Sequence, residues 1–234
     1  MIPAAMACRI CGSSAELFYR DQREFYLCSQ CSFIFTRKGV QVDQEKTHYE
    51  TQHSNEYDWL KLGRICLDIA GIFKDQSRIY RILDYGSGAG NLTNSLRLHG
   101  YHVDSYEPMY DTSPPANNGL GYDVIVLHEV MEHIEDIPCA MKTIYDVAND
   151  EAVVLVFTLL TDELLLHADD FISGFGSWWY KDDMTHVSFF SSLAFKHVCQ
   201  NTKDYNFQLL AVTMRGVFLR VCKPLCRYCT ESGN

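Results

Sequence analysis

Four cysteines near the start of the chain have the spacing of a metal site. Cys8 and Cys11 form one C-x2-C pair, and Cys28 and Cys31 form a second pair after a gap of sixteen residues. Each pair lets two thiolates reach one ion from a tight turn, and two pairs complete a tetrahedral site with no open position. The spacing therefore predicts a structural zinc ion, which would fold a stretch too short to build its own core. Free thiols or a redox pair are the alternative.

A glycine-rich loop between a strand-like run and a helix-like run is the second candidate site. The stretch RILDYGSGAGNLTNSL, residues 81–96, has glycines at alternate positions from Gly86 to Gly90. A dinucleotide fingerprint would need glycine where Asn91 stands, and a phosphate loop would need a lysine that the stretch lacks. The carboxylate of Asp84 would repel a pyrophosphate, but it suits a ligand with an ammonium and a sulfonium group. S-adenosylmethionine is such a ligand.

Acids and histidines follow the next strand-like runs. The run YHVDSYE ends at Glu107, and an acid there can bind both hydroxyls of a ribose. Glu132 and His133 come after the run YDVIVLHE, and His186 stands in DDMTHVSFF, where a substrate would enter. Because the pKa of histidine lies near neutrality, we expect His133 or His186 to act as a general base beside Glu132. The alternative is a histidine that only hydrogen-bonds the loop scaffold.

The order of the elements predicts an α/β fold that brings these residues together. From residue 79 onward strand-like runs alternate with helix-like runs, which favours a doubly wound, Rossmann-like, mostly parallel sheet of about six strands. Ligands bind such a sheet at the carboxyl ends of its strands. We divide the chain into a zinc-ribbon module (1–40), a linker or lid with a helix (41–75), a ligand-binding domain (76–225) and a tail (226–234).

The composition is that of a globular protein with an acidic balance. The 234 residues carry a formal net charge of −10, and 47% are hydrophobic. No run of about 18 apolar residues is present, so we expect no membrane span, and the N-terminus is a poor signal peptide. The ten cysteines are interpreted first as thiols or metal ligands of a cytoplasmic protein. The charge balance argues against a nucleic acid as partner.

Taken together, the glycine loop, the acid at 107 and the HEVMEH segment resemble motifs of the class I S-adenosylmethionine-dependent methyltransferases. The resemblance covers roughly residues 45–223. With its cysteine-rich start, the chain is similar to a bacterial group that has a zinc ribbon before a ubiquinone-methylase-like domain, and YEPMYD and DDMTHVSFFS also look like segments of that group. The resemblance implies an enzyme that uses S-adenosylmethionine and releases S-adenosylhomocysteine.

The resemblance also implies which residues bind the cofactor. Asp84, Tyr85, Gly86, Ser87 and Gly88 would approach the methionine part, Glu107 would hold the ribose, Pro108 and Met109 would lie against the adenine, and His128 and Glu129 would close the other side. Only fourteen residues separate Glu107 from the next strand-like run, where family members have a further helix and strand, so we expect a sheet one strand short. The acid near the adenine amino group has no clear equivalent, and Asp111 is the candidate.

Glu129, Glu132, His133 and His186 resemble the divalent-metal ligands of the small-RNA 2′-O-methyltransferases. In those enzymes an E-x-x-E-H segment is followed later by a histidine. The resemblance implies a second metal, Mg²⁺ or Mn²⁺, that binds the attacking oxygen. The same pattern also occurs in methylases without a demonstrated metal, which is the alternative.

We therefore expect an enzyme that transfers a methyl group to an oxygen, nitrogen or carbon atom of a small metabolite. An RNA or protein methyltransferase and a catalytically inactive S-adenosylmethionine-binding or interaction module are the alternatives. The intact Asp84, glycines and Glu107 argue against the inactive module. Tyr49, Tyr57 and Trp59 are predicted to form a lid over the site. The sequence leaves the oligomeric state open.

Overall fold

A computed structural model describes residues 5–37, 58–74, 80–111, 120–164, 170–200 and 204–224. The strands are β1 (Met6–Ala7), β2 (Ser14–Arg20), β3 (Glu24–Cys28), β4 (Ile34–Phe35), β5 (Arg81–Tyr85), β6 (His102–Tyr106), β7 (Tyr122–His128), β8 (Ala148–Phe157), β9 (Ser188–Phe189), β10 (Phe207–Thr213) and β11 (Gly216–Val221). The α-helices are α1 (Trp59–Phe73), α2 (Asn91–Leu98), α3 (Ile137–Val147), α4 (Phe171–Gly176) and α5 (Ser192–Gln200). The predicted lid residues Tyr49 and Tyr57 and the tail at 226–234 lie outside the described ranges.

The larger sheet has six strands in the order β10-β11-β8-β7-β5-β6. The strands from β8 to β6 pair in parallel, whereas β11 pairs antiparallel with both β8 and β10. Parallel neighbours need crossover connections, which helices supply here. The structure thus confirms the predicted α/β fold with a mostly parallel sheet of six strands. Among the described residues β6 is the edge strand, in agreement with the short connection that follows it.

Both faces of this sheet are covered because strand side chains alternate between them. In β7, Val124 and Val126 pack in the core that contains residues of α1 and α2. Their neighbours Ile125 and Leu127 pack in the core on the other face, with residues of α3. Each of these fully buried side chains contributes roughly 1.5–3 kcal/mol through removal of apolar surface from water. The sheet is a rigid base whose carboxyl edge positions the loops after β5, β6 and β7.

The smaller sheet joins the N-terminal segment to the rest of the molecule. Its order is β1-β2-β3-β4-β9, and all its pairings are antiparallel. Ile34 and Phe35 of β4 pair with Phe189 and Ser188 of β9, which follows the DDMTHV segment. The predicted module at 1–40 therefore shares its sheet with a strand from the second half of the chain. Among the described residues, no helix is long and apolar enough to cross a membrane.

Candidate active site

The loop after β5 has a backbone conformation that requires glycine. Gly86 has a φ of +76°, and a Cβ at this position would lie 2.5 Å from Cγ2 of Val130. Its N–H donates to the carbonyl of Tyr106, the last residue of β6, at 2.7 Å. Gly90, also left-handed with φ +78°, is the N-cap of α2. The loop is thereby held close to the ends of β6 and β7, with space at its surface for a ligand.

Asp84 is a buried carboxylate at the carboxyl end of β5. Only 2% of its surface is exposed, and one oxygen accepts a hydrogen bond from the Thr93 hydroxyl at 2.7 Å. Burial raises the pKa of Asp84 to about 6, because the ionised form loses its hydration. A positively charged ligand beside it would favour the ionised form, so the position suits a cation.

Glu107 faces the glycine loop from the end of β6. Its carboxylate accepts hydrogen bonds from the N–H groups of Gly88 at 2.9 Å and Met109 at 3.1 Å. The N–H of Glu107 in turn donates to the carboxylate of Asp111 at 2.6 Å. These bonds hold Glu107 where a ligand in the loop would meet it. Asp111, the candidate for the adenine, stabilises this turn.

Two cavities meet at Gly86, which lines both. The first has a volume of about 320 Å³, and the second about 390 Å³. All ten residues predicted to bind the cofactor line one or both: Asp84, Gly86, Ser87, Gly88, His128 and Glu129 the first, and Tyr85, Gly86, Glu107, Pro108 and Met109 the second. The paired cavities fit an elongated ligand that crosses the glycine loop.

Further residues, which the sequence did not assign to cofactor binding, line the cavity walls. Trp59, predicted for the lid, lines the first cavity together with Tyr110. Ile134, Asp136 and Cys139 line the second. The sequence indicates Asp136 only as a helix start, and its carboxylate does cap α3 by accepting the N–H of Cys139 at 3.0 Å. Asp136 is thus an acid in the wall of the second cavity.

A chain of buried hydrogen bonds lies behind the first cavity. The hydroxyl of Tyr180 donates to Oε2 of Glu129 at 2.9 Å and lies 3.1 Å from the Thr158 hydroxyl. Thr158 donates to Oε2 of Glu132 at 3.0 Å. Burial raises the pKa of the fully buried Glu132 well above its usual range, and the charge of Glu129 adds to this effect. Glu129 also has a left-handed backbone, with φ +53°, which is strained for a residue with a side chain.

His133 and His186 form a pair next to Glu132. Their ring centroids lie 4.7 Å apart at an angle of 79°. Nδ1 of His186 lies 2.7 Å from the carbonyl oxygen of Tyr180, and since a carbonyl only accepts, this nitrogen carries a proton. Asp183 Oδ2, 3.8 Å from Nε2, would stabilise a positive charge there. His133 lines the second cavity, and the buried His186 packs behind it.

Three of the four residues that resemble metal ligands are brought together. One ligand atom each from Glu132, His133 and His186 lies within 4.8 Å of the others. Oε1 of Glu132 is buried and has no hydrogen-bond partner among the described residues, an arrangement that a cation would satisfy. The carboxylate of Glu129 instead binds the Tyr180 hydroxyl and lines the first cavity.

The sulfurs of four cysteines in the N-terminal module lie close together: Cys8, Cys11, Cys28 and Cys31. Sγ distances are 3.5 Å for Cys8–Cys31, 3.4 Å for Cys11–Cys28 and 3.7 Å for Cys11–Cys31. A tetrahedral zinc site with Zn–S bonds of about 2.3 Å has sulfur–sulfur edges of roughly 3.8 Å, so the donor set fits one ion. The contact between the sulfurs of Cys8 and Cys31 lowers the pKa of the Cys8 thiol to about 5 and raises the pKa of the Cys31 thiol.

Comparison with known proteins identifies the class. A family model described as "Methyltransferase domain" matches residues 46–212, more than half of the chain. The chain therefore belongs to this methyltransferase family, and it is a class I S-adenosylmethionine-dependent methyltransferase. No curated protein sequence matches it significantly.

Solved structures similar to the chain are remote. The plantazolicin methyltransferase BpumL, in complex with a monoazolic desmethylPZN analog and SAH, is 10% identical over 77% of this chain and 90% of its own, with a TM-score of 0.49. An O-methyltransferase family protein from Burkholderia thailandensis is 10% identical over 71% and 57% of the two chains, with a TM-score of 0.46. A methyltransferase from Methanosarcina mazei is 9% identical over 67% and 98%, with a TM-score of 0.44. Likenesses at this level say nothing about substrate.

Proposed function

We propose that the enzyme transfers the methyl group of S-adenosylmethionine to an oxygen, nitrogen or carbon atom of a small metabolite. The observation that carries this proposal is the pair of cavities joined at Gly86, with the buried Asp84 in one and Glu107 in the other. The ammonium and sulfonium of the cofactor would lie beside Asp84, directly or through water. The ribose hydroxyls would bind Glu107, and the adenine would lie against Pro108 and Met109.

Methyl transfer is an in-line displacement, so much of the catalysis is positioning and exclusion of water. An oxygen or nitrogen acceptor also benefits from a base. We assign this role to His133, because it lines the second cavity, which the acceptor would share with the ribose and adenine of the cofactor. His186, with Nδ1 fixed by the Tyr180 carbonyl, and Glu132, whose Oε1 lies 4.0 Å from Nε2 of His133, would hold the imidazole and the proton it takes.

The acceptor proposed is a small molecule rather than RNA. The formal charge of −10 argues against RNA, whose phosphates need compensating lysines and arginines.

Methyl-labelled S-adenosylmethionine tests the acceptor class. The enzyme is incubated with the labelled cofactor and with separate small-molecule, RNA and protein fractions of a cell extract. We expect Glu107-dependent label in the small-molecule fraction, with Glu107→Ala as the inactive control. Label that appears only in RNA or protein would refute the small-metabolite proposal and leave the methyltransferase class intact.

We propose that Cys8, Cys11, Cys28 and Cys31 hold one structural zinc ion. The sulfur–sulfur distances support it, and zinc bound by four thiolates has no open position for water, so its work is structural. Metal analysis should give one zinc per chain. Cys11→Ser should lose it, whereas Cys139→Ser, a change at an exposed cysteine, should keep it. A protein without zinc, or zinc kept in Cys11→Ser, would refute the assignment.

A second divalent cation at Glu132, His133 and His186 is a further proposal, supported by the unsatisfied Glu132 Oε1. Such an ion would hold the acceptor oxygen in place of the base mechanism, because a His133 imidazole bound to metal no longer offers that lone pair to a proton. Calorimetric titration of the zinc-loaded protein with Mn²⁺ or Mg²⁺ should show one site that Glu132→Gln removes and Glu135→Gln, at a neighbouring exposed position, retains. The same heats in wild type and Glu132→Gln would refute the site.

A further inference from the structure

The turn between β2 and β3 places a buried arginine against the segment 181–186, which ends at His186. Arg23 is only 8% exposed, although it carries a charge. Its guanidinium donates to the carbonyl of Lys181 and, at 2.8 Å, to the carbonyl of His186. The planar fork of arginine can bind two separated acceptors at once, which the point charge of lysine cannot do equally well. Arg23 therefore ties both ends of the segment 181–186.

Asp21, in the same turn, adds a second link. Its Oδ2 accepts from Nζ of Lys181 at 3.0 Å, and its Oδ1 accepts the N–H of Arg23 at 2.8 Å. Lys181 is itself buried and lies 5.5 Å from the ring of Tyr19 on β2. The turn thus contacts the segment 181–186 through one positive side chain, Arg23, and one negative side chain, Asp21.

The segment held in this way ends at His186 and directly follows Tyr180. With Glu132 and His133, these residues form what is here called the acceptor side of the site. Tyr180 binds Glu129 through its hydroxyl, and its carbonyl fixes the tautomer of His186. On the other side of His186, Arg9, which lies between the first two cysteines, donates to the Thr36 carbonyl at 2.8 Å and to the Val187 carbonyl at 3.4 Å. The N-terminal module therefore donates hydrogen bonds to backbone carbonyls on both sides of His186, from Lys181 to Val187.

We propose that Arg23 is a positioning residue, through which the N-terminal module sets the orientation of Tyr180 and His186. The proposal rests on the proposed function in one respect, the role of His186 at the acceptor side. Arg23 acts on backbone carbonyls and touches no part of the glycine loop. Its loss should disturb the acceptor side and leave the cofactor side unchanged.

The test compares Arg23→Met and Arg23→Lys with wild type and with Arg20→Met, which removes an exposed arginine of the same hairpin. Nitrogen-15 NMR of the histidine rings reports the proton on Nδ1 of His186, and hydrogen exchange reports the amides of 180–189. S-adenosylhomocysteine titration reports the cofactor side.

In Arg23→Met we expect loss of the His186 Nδ1–H signal and amide exchange at 180–189 faster by about tenfold or more, because the hydrogen bonds from the guanidinium to the carbonyls of Lys181, Met184 and His186 are lost. Affinity for S-adenosylhomocysteine should stay within about twofold, because the guanidinium of Arg23 binds carbonyls of the segment 181–186 and reaches Glu129 of the first cavity only indirectly, through Tyr180. Arg23→Lys should restore part of the signal, and Arg20→Met should match wild type.

An unchanged His186 signal in Arg23→Met would overturn the proposal, as would a loss of cofactor affinity that parallels the loss of the signal. If Arg23→Met does not fold, Arg23→Lys decides, because a wild-type His186 signal there shows that the fork is not needed. Wild-type protein that fails to bind S-adenosylhomocysteine would contradict the proposed function and leave the His186 result readable.

Discussion

The cofactor side and the acceptor side of this site are built in different ways. The cofactor side is local in the chain, because Asp84 binds Thr93 and Glu107 binds Gly88 within one strand–loop–helix–strand unit. The acceptor side is assembled from distant segments, as the bonds of Tyr180 to Glu129 and of Arg23 to His186 show. The comparison teaches that the residues proposed to bind the cofactor come from one part of the larger sheet, whereas the N-terminal module contacts the segment proposed to carry the acceptor side.

Of the changes considered, Glu107→Ala should have the largest effect: it should weaken cofactor binding and leave the acceptor side unchanged. The ribose would lose charge-assisted hydrogen bonds worth about 1–3 kcal/mol, which corresponds to roughly 5- to 150-fold weaker binding. Calorimetry with S-adenosylhomocysteine measures this loss. The amides of 180–189 should exchange as in wild type.

Glu16→Ala is the matched control, because it removes an exposed acid from the N-terminal hairpin. Its affinity should equal that of wild type. Equal affinity in Glu107→Ala as well would show that another acid binds the ribose.

Acidification should weaken cofactor binding through Asp84. Its pKa of about 6 means that the carboxyl group becomes neutral below that pH and no longer attracts a cation. Affinity should fall by up to about tenfold per pH unit below 6. Because the raised pKa shows that the folded state binds this proton more tightly than the unfolded chain, this group's contribution to stability decreases as the pH rises from about 4 through 6.

Titrations with S-adenosylhomocysteine between pH 5 and pH 7.5 measure the effect, and Asp84→Asn provides the control. The variant should bind weakly with little dependence on pH over this range. A wild-type affinity that stays constant below pH 6 would mean that Asp84 does not face the cationic part of the ligand.

Tyr180→Phe should give the smallest effect and sharpen the other half of the comparison. The change removes the hydroxyl that bridges Glu129 and Thr158, which should lower the free energy of unfolding by about 1–2 kcal/mol. Affinity for S-adenosylhomocysteine should change little, because Asp84 and Glu107 keep their hydrogen bonds and only Glu129 among the predicted cofactor-binding residues loses one. Urea unfolding measures the first quantity and calorimetry the second; weaker cofactor binding would show that the two sides are coupled.

The sequence predicts which residues meet at the carboxyl edge of the larger sheet, because these signals are local. Asp84, Gly86 and Glu107 stand at fixed places relative to strand ends, and the sheet then brings them to one edge. The cysteine spacing likewise predicts the convergence of the sulfurs. These features need no knowledge of how distant segments meet.

The acceptor side could be predicted only in part. The sequence predicts His133 and His186 as candidate bases, but their contact depends on two segments that are distant in the chain, where the N–H of Val187 donates to the carbonyl of Glu132 at 2.8 Å. No local pattern indicates that these segments meet. The positioning role proposed for Arg23 has no signal in the sequence, since its partners are main-chain carbonyls some 160 positions away. The sequence indicates Asp136 only as a helix cap, and a capping residue gives no sign in the sequence that it also lines a cavity.

Titration of the zinc-analysed wild-type protein with S-adenosylhomocysteine tests the central claim most directly. The account predicts saturable binding of one ligand per chain, weakened by Glu107→Ala and by acidification below pH 6. The absence of binding to well-folded protein would contradict it, and would mean that the short connection after Glu107 has removed the adenine pocket.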